Sequence, residues 1–291
     1  MKPLVLVTGA AGLIGHYIVK NAPRWAPNWT VRGLTRTELD LTNRAGVEQV
    51  WLRLKSDAVI HCAAMSRTKD CEQQPDRARR VNVEVTSQLA ALSKDIPFIF
   101  LSSAEVFDGN AGWYDEGDEA TPINVYGKTK LEAERAVLQN PRHVVVRIVL
   151  TAGTSLNGNR SFVEDMGRTA HTGNDITLFT DEFRCPLPAG VIARAIWELL
   201  DRGHPGLFHL GGPERLSRWE IGQELVRWYP ELEGRLVEGS ARDQAGAPRP
   251  SDLSLRCDKI QRLLSFQIPG FHTWLNARLS RGPDLWDYQT S

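Results

Sequence analysis

Residues 4–15 read LVLVTGAAGLIG, and the rest of the chain is interpreted outward from them. Leu4 to Val7 is a short apolar run of the kind that forms a strand buried on both faces. Thr8 to Gly15 then turns the chain, and the spacing predicts a helix from Ile14 through Lys20. Gly9 permits a tight turn, Gly12 lets a pyrophosphate approach the backbone, and Gly15 lets the helix pack close to the strand. The helix N-terminal amides and dipole then face the phosphates. A glycine triplet alone also occurs in ordinary strand–loop turns. The T-G-x-x-G-x-x-G spacing, in a strand–turn–helix context at the N-terminus, points to a bound dinucleotide.

The 291 residues suffice for one large or two modest domains with a full core. Lys plus Arg and Asp plus Glu balance at 35 each, so no overall field favours nucleic acid or a membrane surface. Cys62, Cys71, Cys185 and Cys257 form no CxxC pair, and no His cluster has zinc spacing; reduced thiols and no metal are expected. The chain enters its first strand without a basic–apolar–small leader. No apolar run approaches the ~18 residues that would span a bilayer. A soluble, cytoplasmic protein is the expectation.

Strand and helix signals alternate through the first half. Thr30–Thr35 reads as a second strand, Arg44–Lys55 as a helix and Ala58–Ala64 as a third strand. Pro75–Leu92 reads as a long helix, Pro97–Ser103 as a buried strand, Tyr126–Leu138 as a helix and Val144–Ile148 as another strand. This order predicts an α/β fold with a doubly wound parallel sheet. From Leu150 the character changes, with a polar loop at 151–159, a helix at Phe162–His171 and a strand at Ile176–Phe179. Ala189–Leu200 is a further helix, and Leu207–Leu210 is expected to rejoin the main sheet. Ser217 and Glu220 frame the start of a capped helix to Trp228. Residues 239–250 read as a polar loop, Lys259–Leu264 and 273–279 as short helices, and 280–291 as a peripheral tail. The expected units are 1–150 with 190–212 for the nucleotide, and 151–189 with 213–291 for the substrate. The second unit is smaller, α+β and interleaved with the first.

A second landmark is Tyr126-Gly127-Lys128-Thr129-Lys130. A Tyr and a Lys four apart share one helical face, where the ammonium is expected to lower the phenol pKa toward neutrality. Ser102 and Ser103 end the preceding strand, and strand C-termini are where ligands lie in open α/β sheets. A serine hydroxyl there polarises a carbonyl while Tyr126 supplies the proton.

With these segments the chain resembles the extended short-chain dehydrogenase/reductase family, a Rossmann fold with Ser/Thr-Tyr-Lys catalysis. Within it the likeness is to the dTDP-4-dehydrorhamnose reductase and sugar-nucleotide branch. It is carried by residues 8–15, 38–43 (ELDLTN), 59–66 (VIHCAAMS), 81–90 (VNVEVTSQLA), 100–109 (FLSSAEVFDG), 121–134 (TPINVYGKTKLEAE) and 144–148 (VVVRI). Weaker matches continue through 178–187, 207–222 and 254–264. The resemblance implies Ser103 as the polarising hydroxyl, Tyr126 as acid/base and Lys130 as its partner and ribose ligand. It implies Asn82 as a support for the active-site helix and proton relay, near the cofactor. Asp40 and Leu41 match the adenine-contacting pair, and Ala63 and Ala64 the small residues beneath the cofactor. Ala11, Leu13, Ile14, Cys62 and Leu101 complete the implied cofactor site. Met65, Ser103, Ala104, Glu105 and Leu150 are implied at the substrate. Arg67, Lys69, Arg160 and Arg184 lie on loops that face it in the family, as a clamp for a nucleotide diphosphate.

The second strand bears on which nicotinamide is used. An NAD site places a carboxylate at the strand end to grip the ribose 2′-hydroxyl. This strand ends Leu34-Thr35-Arg36, and an arginine pairs a 2′-phosphate bidentately, so NADP is favoured over NAD although Glu38 is close. Two residues depart from the rhamnose-forming pattern: Ala104 replaces the usual Asp after the hydroxyl residue, and Leu150 replaces an aromatic. Ala104 also removes half of the Asp-Glu pair used by the 4,6-dehydratases. The expected activity is reduction of a carbonyl, on a nucleotide-linked 4-keto-6-deoxy sugar. A 4-epimerase, a reductase of a non-sugar ketone and a non-catalytic NADP-binding regulatory subunit are the alternatives. A homodimer through the helices at 75–92 and 126–138 is a further expectation, from Val81, Val85, Leu89, Leu92, Leu131, Val137 and Leu138.

Overall fold

The computed structural model describes residues 2–243 and 246–278. The opening unit is β1 (Leu4–Thr8) and α1 (Leu13–Trp25), followed by β2 (Thr30–Leu34), α2 (Arg44–Leu54) and β3 (Ala58–His61). Next come α3 (Thr68–Gln73), which the sequence did not signal, and α4 (Pro75–Arg79). A π turn at Arg80–Glu84 joins α4 to α5 (Val85–Leu92), so the expected long helix is present with one widened turn. Then β4 (Phe98–Ser103), α6 (Val125–Val137) and β5 (Val144–Ile148) follow. The second half contributes β6 (Thr151–Ala152), α7 (Phe162–His171), β7 (Ile176–Phe179), β8 (Phe183–Arg184) and β9 (Leu187–Pro188). It continues with α8 (Ala189–Arg202), β10 (Gly206–Leu210), β11 (Leu216–Ser217), α9 (Arg218–Val226), β12 (Leu236–Gly239), α10 (Asp258–Gln261) and α11 (Phe271–Arg278). The expected tail, 280–291, lies outside the described residues.

Six strands form one parallel sheet in the order β10-β5-β4-β3-β1-β2. The chain leaves β1 toward β2 at one edge, then crosses back to β3 on the other side. That reversal opens a crevice at the C-terminal ends of β1 and β3. The alternation of strand side chains builds two cores. Leu6, Val59, Phe98, Phe100 and Val145 pack under α2, α5 and α6. Val5, Val7, Ile60, Ile99 and Val146 pack under α1 and α8, and that core runs unbroken into the second lobe through Met166, Leu178 and Ile221. Trp197 of α8, wholly buried, locks onto α1 through Nε1–H to the Ile18 carbonyl at 3.0 Å.

Gly9 and Gly15 serve the turn and the close packing that their spacing implies. Gly9 has φ +69°, and a Cβ there would meet the Ala63 amide nitrogen at 2.7 Å. At Gly15 a Cβ would lie 2.4 Å from the Gly9 carbonyl oxygen, so only glycine lets α1 start this close to the turn.

The second lobe is built from α7, α9 and the parallel pair β7–β12. Both halves of the capping box at Ser217 and Glu220 are formed, which fixes where α9 begins. The two-residue pairs β8–β11 and β6–β9 are too short to leave a period in the sequence.

Candidate active site

A cleft of about 1,120 Å³ lies along the C-terminal edge of the sheet, between it and the second lobe. The glycine turn forms one end, with Gly9, Ala11, Gly12, Leu13, Ile14 and Gly15 all on the wall. Gly12 caps α1 without a side chain, so the first amides of that helix have no side-chain acceptor from their own cap. Cys62, Ala63, Ala64 and Met65 line the cleft beyond β3, Leu101 and Ser103 from the last residues of β4, Ala104 and Glu105 just after it, and Leu150 beyond β5. Arg36, Asp40 and Leu41 close the far end. Glu38 is not on the wall: its carboxylate accepts from the Thr35 amide at 3.0 Å, from the Thr35 hydroxyl at 2.9 Å and from Arg32 at 3.1 Å. Those contacts hold the Glu38 carboxyl below the usual range, the backbone bond from Thr35 contributing most.

Tyr126 and Lys130 meet the cleft from α6, whose start is fixed several times over. Asn124 caps the helix by accepting from the Gly127 amide at 2.8 Å, and its own amide is held by Glu105 at 2.7 Å. Glu72 accepts from the Val125 amide at 2.7 Å. A Cβ on Gly127 would stand 2.0 Å from the Glu105 carbonyl oxygen, so α6 presses directly on the strand-end turn that carries Ser103. Ser103 Oγ accepts from the Glu105 amide at 3.2 Å, which leaves its own O–H to donate.

Lys130 is 2% exposed, donates to the Leu101 carbonyl at 2.7 Å and lies 3.9 Å from the centre of the Phe100 ring. Burial brings its ammonium down to about 7, against an opposing pull from Glu134. The phenol of Tyr126 departs from the sequence expectation. Burial raises its pKa above the ordinary value, and a hydrogen bond with Ser103 acts the other way. A phenol held protonated is a proton donor in waiting.

Two of the expected residues are not on the cleft wall. Lys69 stands on the exposed side of α3, while its neighbours Thr68 and Asp70 face the cleft. Asn82 is 1% exposed, in the π turn: it accepts from the Met65 amide at 2.8 Å and donates to the Met65 carbonyl and Thr129 hydroxyl, both at 3.0 Å. It thus ties the β3 loop to α6 from behind. Arg67 is on the wall, and one nitrogen of its guanidinium donates to the Asn159 carbonyl at 2.8 Å, joining the two sides of the cleft. Arg160 is also on the wall.

Behind the glycine turn and β3 runs a buried polar ladder. Thr86 donates to the Asn82 carbonyl at 2.7 Å, so its oxygen must accept from His61 Nε2–H at 2.9 Å. His61 Nδ1 then accepts from the Thr8 hydroxyl at 2.6 Å. Burial, with Lys130 nearby, pushes this imidazole down to about 3 and keeps it neutral.

On the side of the second lobe, Arg184 lines the cleft and pairs with buried Glu182 at 3.1 Å. Arg249 at 3.5 Å and Arg218 at 4.0 Å converge on the same carboxylate. Three cations around one anion leave a surplus positive charge beside the wall. Sequence reasoning found Arg184 but not this cluster, because Glu182, Arg218 and Arg249 come from three separate stretches. It also missed Phe162 and Asn157 on the wall, although Ser161 and Glu164 spell the capping box that sets the start of α7 there.

A doubly wound sheet with a glycine turn, and a Tyr and Lys one turn apart on a helix beside a strand-end serine, defines the extended short-chain dehydrogenase/reductase class. More narrowly, the chain belongs to the RmlD substrate binding domain family, whose profile matches residues 1–282. It is 34% identical over 283 residues to a probable low-salt glycan biosynthesis reductase of Haloferax volcanii, covering 90% of this chain and 93% of the relative. It is 30% identical over 292 residues to the beta subunit of methionine adenosyltransferase 2 of Mus musculus, covering 94% and 86%. The crystal structure of a dTDP-4-dehydrorhamnose reductase from Clostridium acetobutylicum superposes with a TM-score of 0.85 at 27% identity, over 94% of this chain and 96% of that one.

Proposed function

We propose that the protein is an NADPH-dependent reductase of a carbonyl group on a nucleotide-linked 4-keto-6-deoxy sugar. The observation that carries this is the convergence of Ser103, Tyr126 and Lys130 on a cleft whose far end presents Arg36 while Glu38 is turned away. The uncapped start of α1 suits the pyrophosphate, and Arg36 suits a 2′-phosphate. When bound, NADPH supplies the hydride. Tyr126 gives its proton to the carbonyl oxygen, Ser103 donates a hydrogen bond to that oxygen, and Lys130 holds positive charge beside them. The arginines around Glu182 support an anionic, diphosphate-bearing substrate, as does the reductase named in the Clostridium relative. Residues 1–150 with 190–212 serve the cofactor in this assignment, and the remainder serves the substrate.

The four unpaired cysteines suit a reducing, cytoplasmic setting. Among the described residues no helix is long and apolar enough to cross a membrane. A homodimer through α5 and α6 rests on Leu92 and Leu138, which stay exposed; Val85, Leu89 and Val137 are consumed within the chain.

NADPH oxidation followed by absorbance, with nucleotide 4-keto sugars set against simple ketones, tests the assignment. Turnover of the nucleotide sugars is expected. Turnover confined to simple ketones overturns the sugar assignment alone. The alternative of a non-catalytic NADP-binding subunit is not favoured, although the mouse relative is named as a subunit of another enzyme. Cofactor binding without turnover of any ketone would select it.

A further inference from the structure

Glu134 lies one helical turn beyond Lys130 on α6, and it is 1% exposed. Its ion pair is with Arg147 of β5, whose Nε lies 3.0 and 3.2 Å from the two carboxylate oxygens and whose Nη2 lies 2.8 Å from one of them. Arg147 is itself held on both remaining sides, over the Phe107 ring at 4.9 Å and against His209 Nε2 at 3.4 Å. Neither member of the pair lines the cleft. A buried ion pair of this kind is a poor device for stability, since apolar residues of similar volume commonly do as well or better. Its place, directly beneath the lysine of the active-site helix, points to another use.

We propose that the Glu134–Arg147 pair is a positioning element for Lys130, its negative end fixed one turn below so that the lysine stays charged and bound to the Leu101 carbonyl. The groups that surround Lys130 leave this task to Glu134. From β4 come the Leu101 carbonyl and the Phe100 ring, neither charged. From β3 and its loop come His61 and Cys62, the first kept neutral and the second, a thiol, pushed up to about 12, both by burial. On α6 itself, Tyr126 is protonated. Glu134 is the anion that opposes the burial of the ammonium, and Arg147 keeps that carboxylate in place by a two-pronged contact.

For its bearing on catalysis the proposal rests on the reductase assignment, and the test separates the two. Lysines are labelled with ¹³C, the Lys130 side-chain resonance is assigned with Lys130→Arg, and its titration is followed in wild type, Glu134→Gln and Glu134→Gln/Arg147→Met. The single variant strands a buried guanidinium and can fail to fold; the double variant removes both charges and carries the test in that case. In the folded variants the Lys130 midpoint is expected to fall by about one pH unit, and the alkaline limb of kcat/KM to move down with it. An unmoved midpoint in the double variant overturns the proposal. A moved midpoint with an unmoved rate profile overturns the catalytic half of it. A moved midpoint in a protein that reduces no ketone upholds the support of Lys130 and removes the reductase assignment instead.

Discussion

Arg36 and Glu38, two residues apart after β2, differ in their relation to the cleft: Arg36 lines its wall, and the Glu38 carboxylate folds back onto Thr35 and Arg32. The group that would grip a 2′-hydroxyl is engaged elsewhere, while the residue that would bind a 2′-phosphate lines the cleft. Arg36→Ala is therefore expected to weaken NADPH by about tenfold or more and NADH much less, since a hydrogen bond to a charged group is worth ~1.5–3 kcal/mol. Titration of both cofactors by nicotinamide fluorescence checks this, and equal losses would show that Arg36 is not the phosphate ligand.

Tyr126→Phe keeps the ring and removes the proton. The expected loss in kcat is ~10²–10⁴-fold, the usual range for general acid catalysis, with cofactor affinity nearly retained. A single-turnover measurement with bound NADPH gives the chemical step directly. An undiminished rate there would remove Tyr126 as the donor.

Arg184→Ala should raise KM for a nucleotide sugar by roughly tenfold, from the loss of ~1.5–3 kcal/mol of charge-assisted contact. The KM for a small neutral ketone should not move. Because Glu182 keeps Arg218 and Arg249 beside it, the variant does not strand that carboxylate, and an unaltered melting temperature is the control.

Stability should fall in mild acid, for a reason visible at His61. Its folded pKa, about 3, lies well below the ordinary histidine value, so the unfolded chain binds a proton first as the pH drops. The stabilisation is complete above about pH 6.5 and is lost toward pH 3, at up to about 1.4 kcal/mol per pH unit for this group. Urea midpoints at pH 7.5 and 5 measure it. His61→Gln is expected to flatten the pH dependence only in part, since burial also holds His209 at about 3. An equal slope in wild type and variant would contradict the assignment.

The parts of this molecule that sequence made legible are those with a period or a local rule. The glycine turn, the buried strand 144–148 and the box at Ser217 and Glu220 each bring their chemistry together within a dozen residues. Tyr126 and Lys130 were readable for the same reason, their spacing on one helix. What escaped depends on where side chains finally turn. Nothing local tells that Lys130 donates to the Leu101 carbonyl, that burial dominates at Tyr126, or that Arg67 reaches the Asn159 carbonyl. The charge cluster at Glu182 is assembled only by the fold of the second lobe. Lys69, beside two residues that do face the cleft, shows how one 100° step around a helix decides membership of a site.

The ladder from Thr8 through His61, Thr86 and Asn82 to Thr129 acts as a strut. One end stands in the strand that feeds the glycine turn, and the other holds the helix that carries Tyr126, where Thr129 closes the run on the Tyr126 carbonyl at 2.8 Å. The hydride and the proton must arrive at adjacent atoms of one carbonyl, so an error in the distance between their two carriers costs rate whichever carrier has moved. A strut that spans both carriers makes that distance a property of the sheet interior rather than of the cleft. A methyl-sized fault at Thr86, which touches neither ligand, would be felt as a misalignment of both.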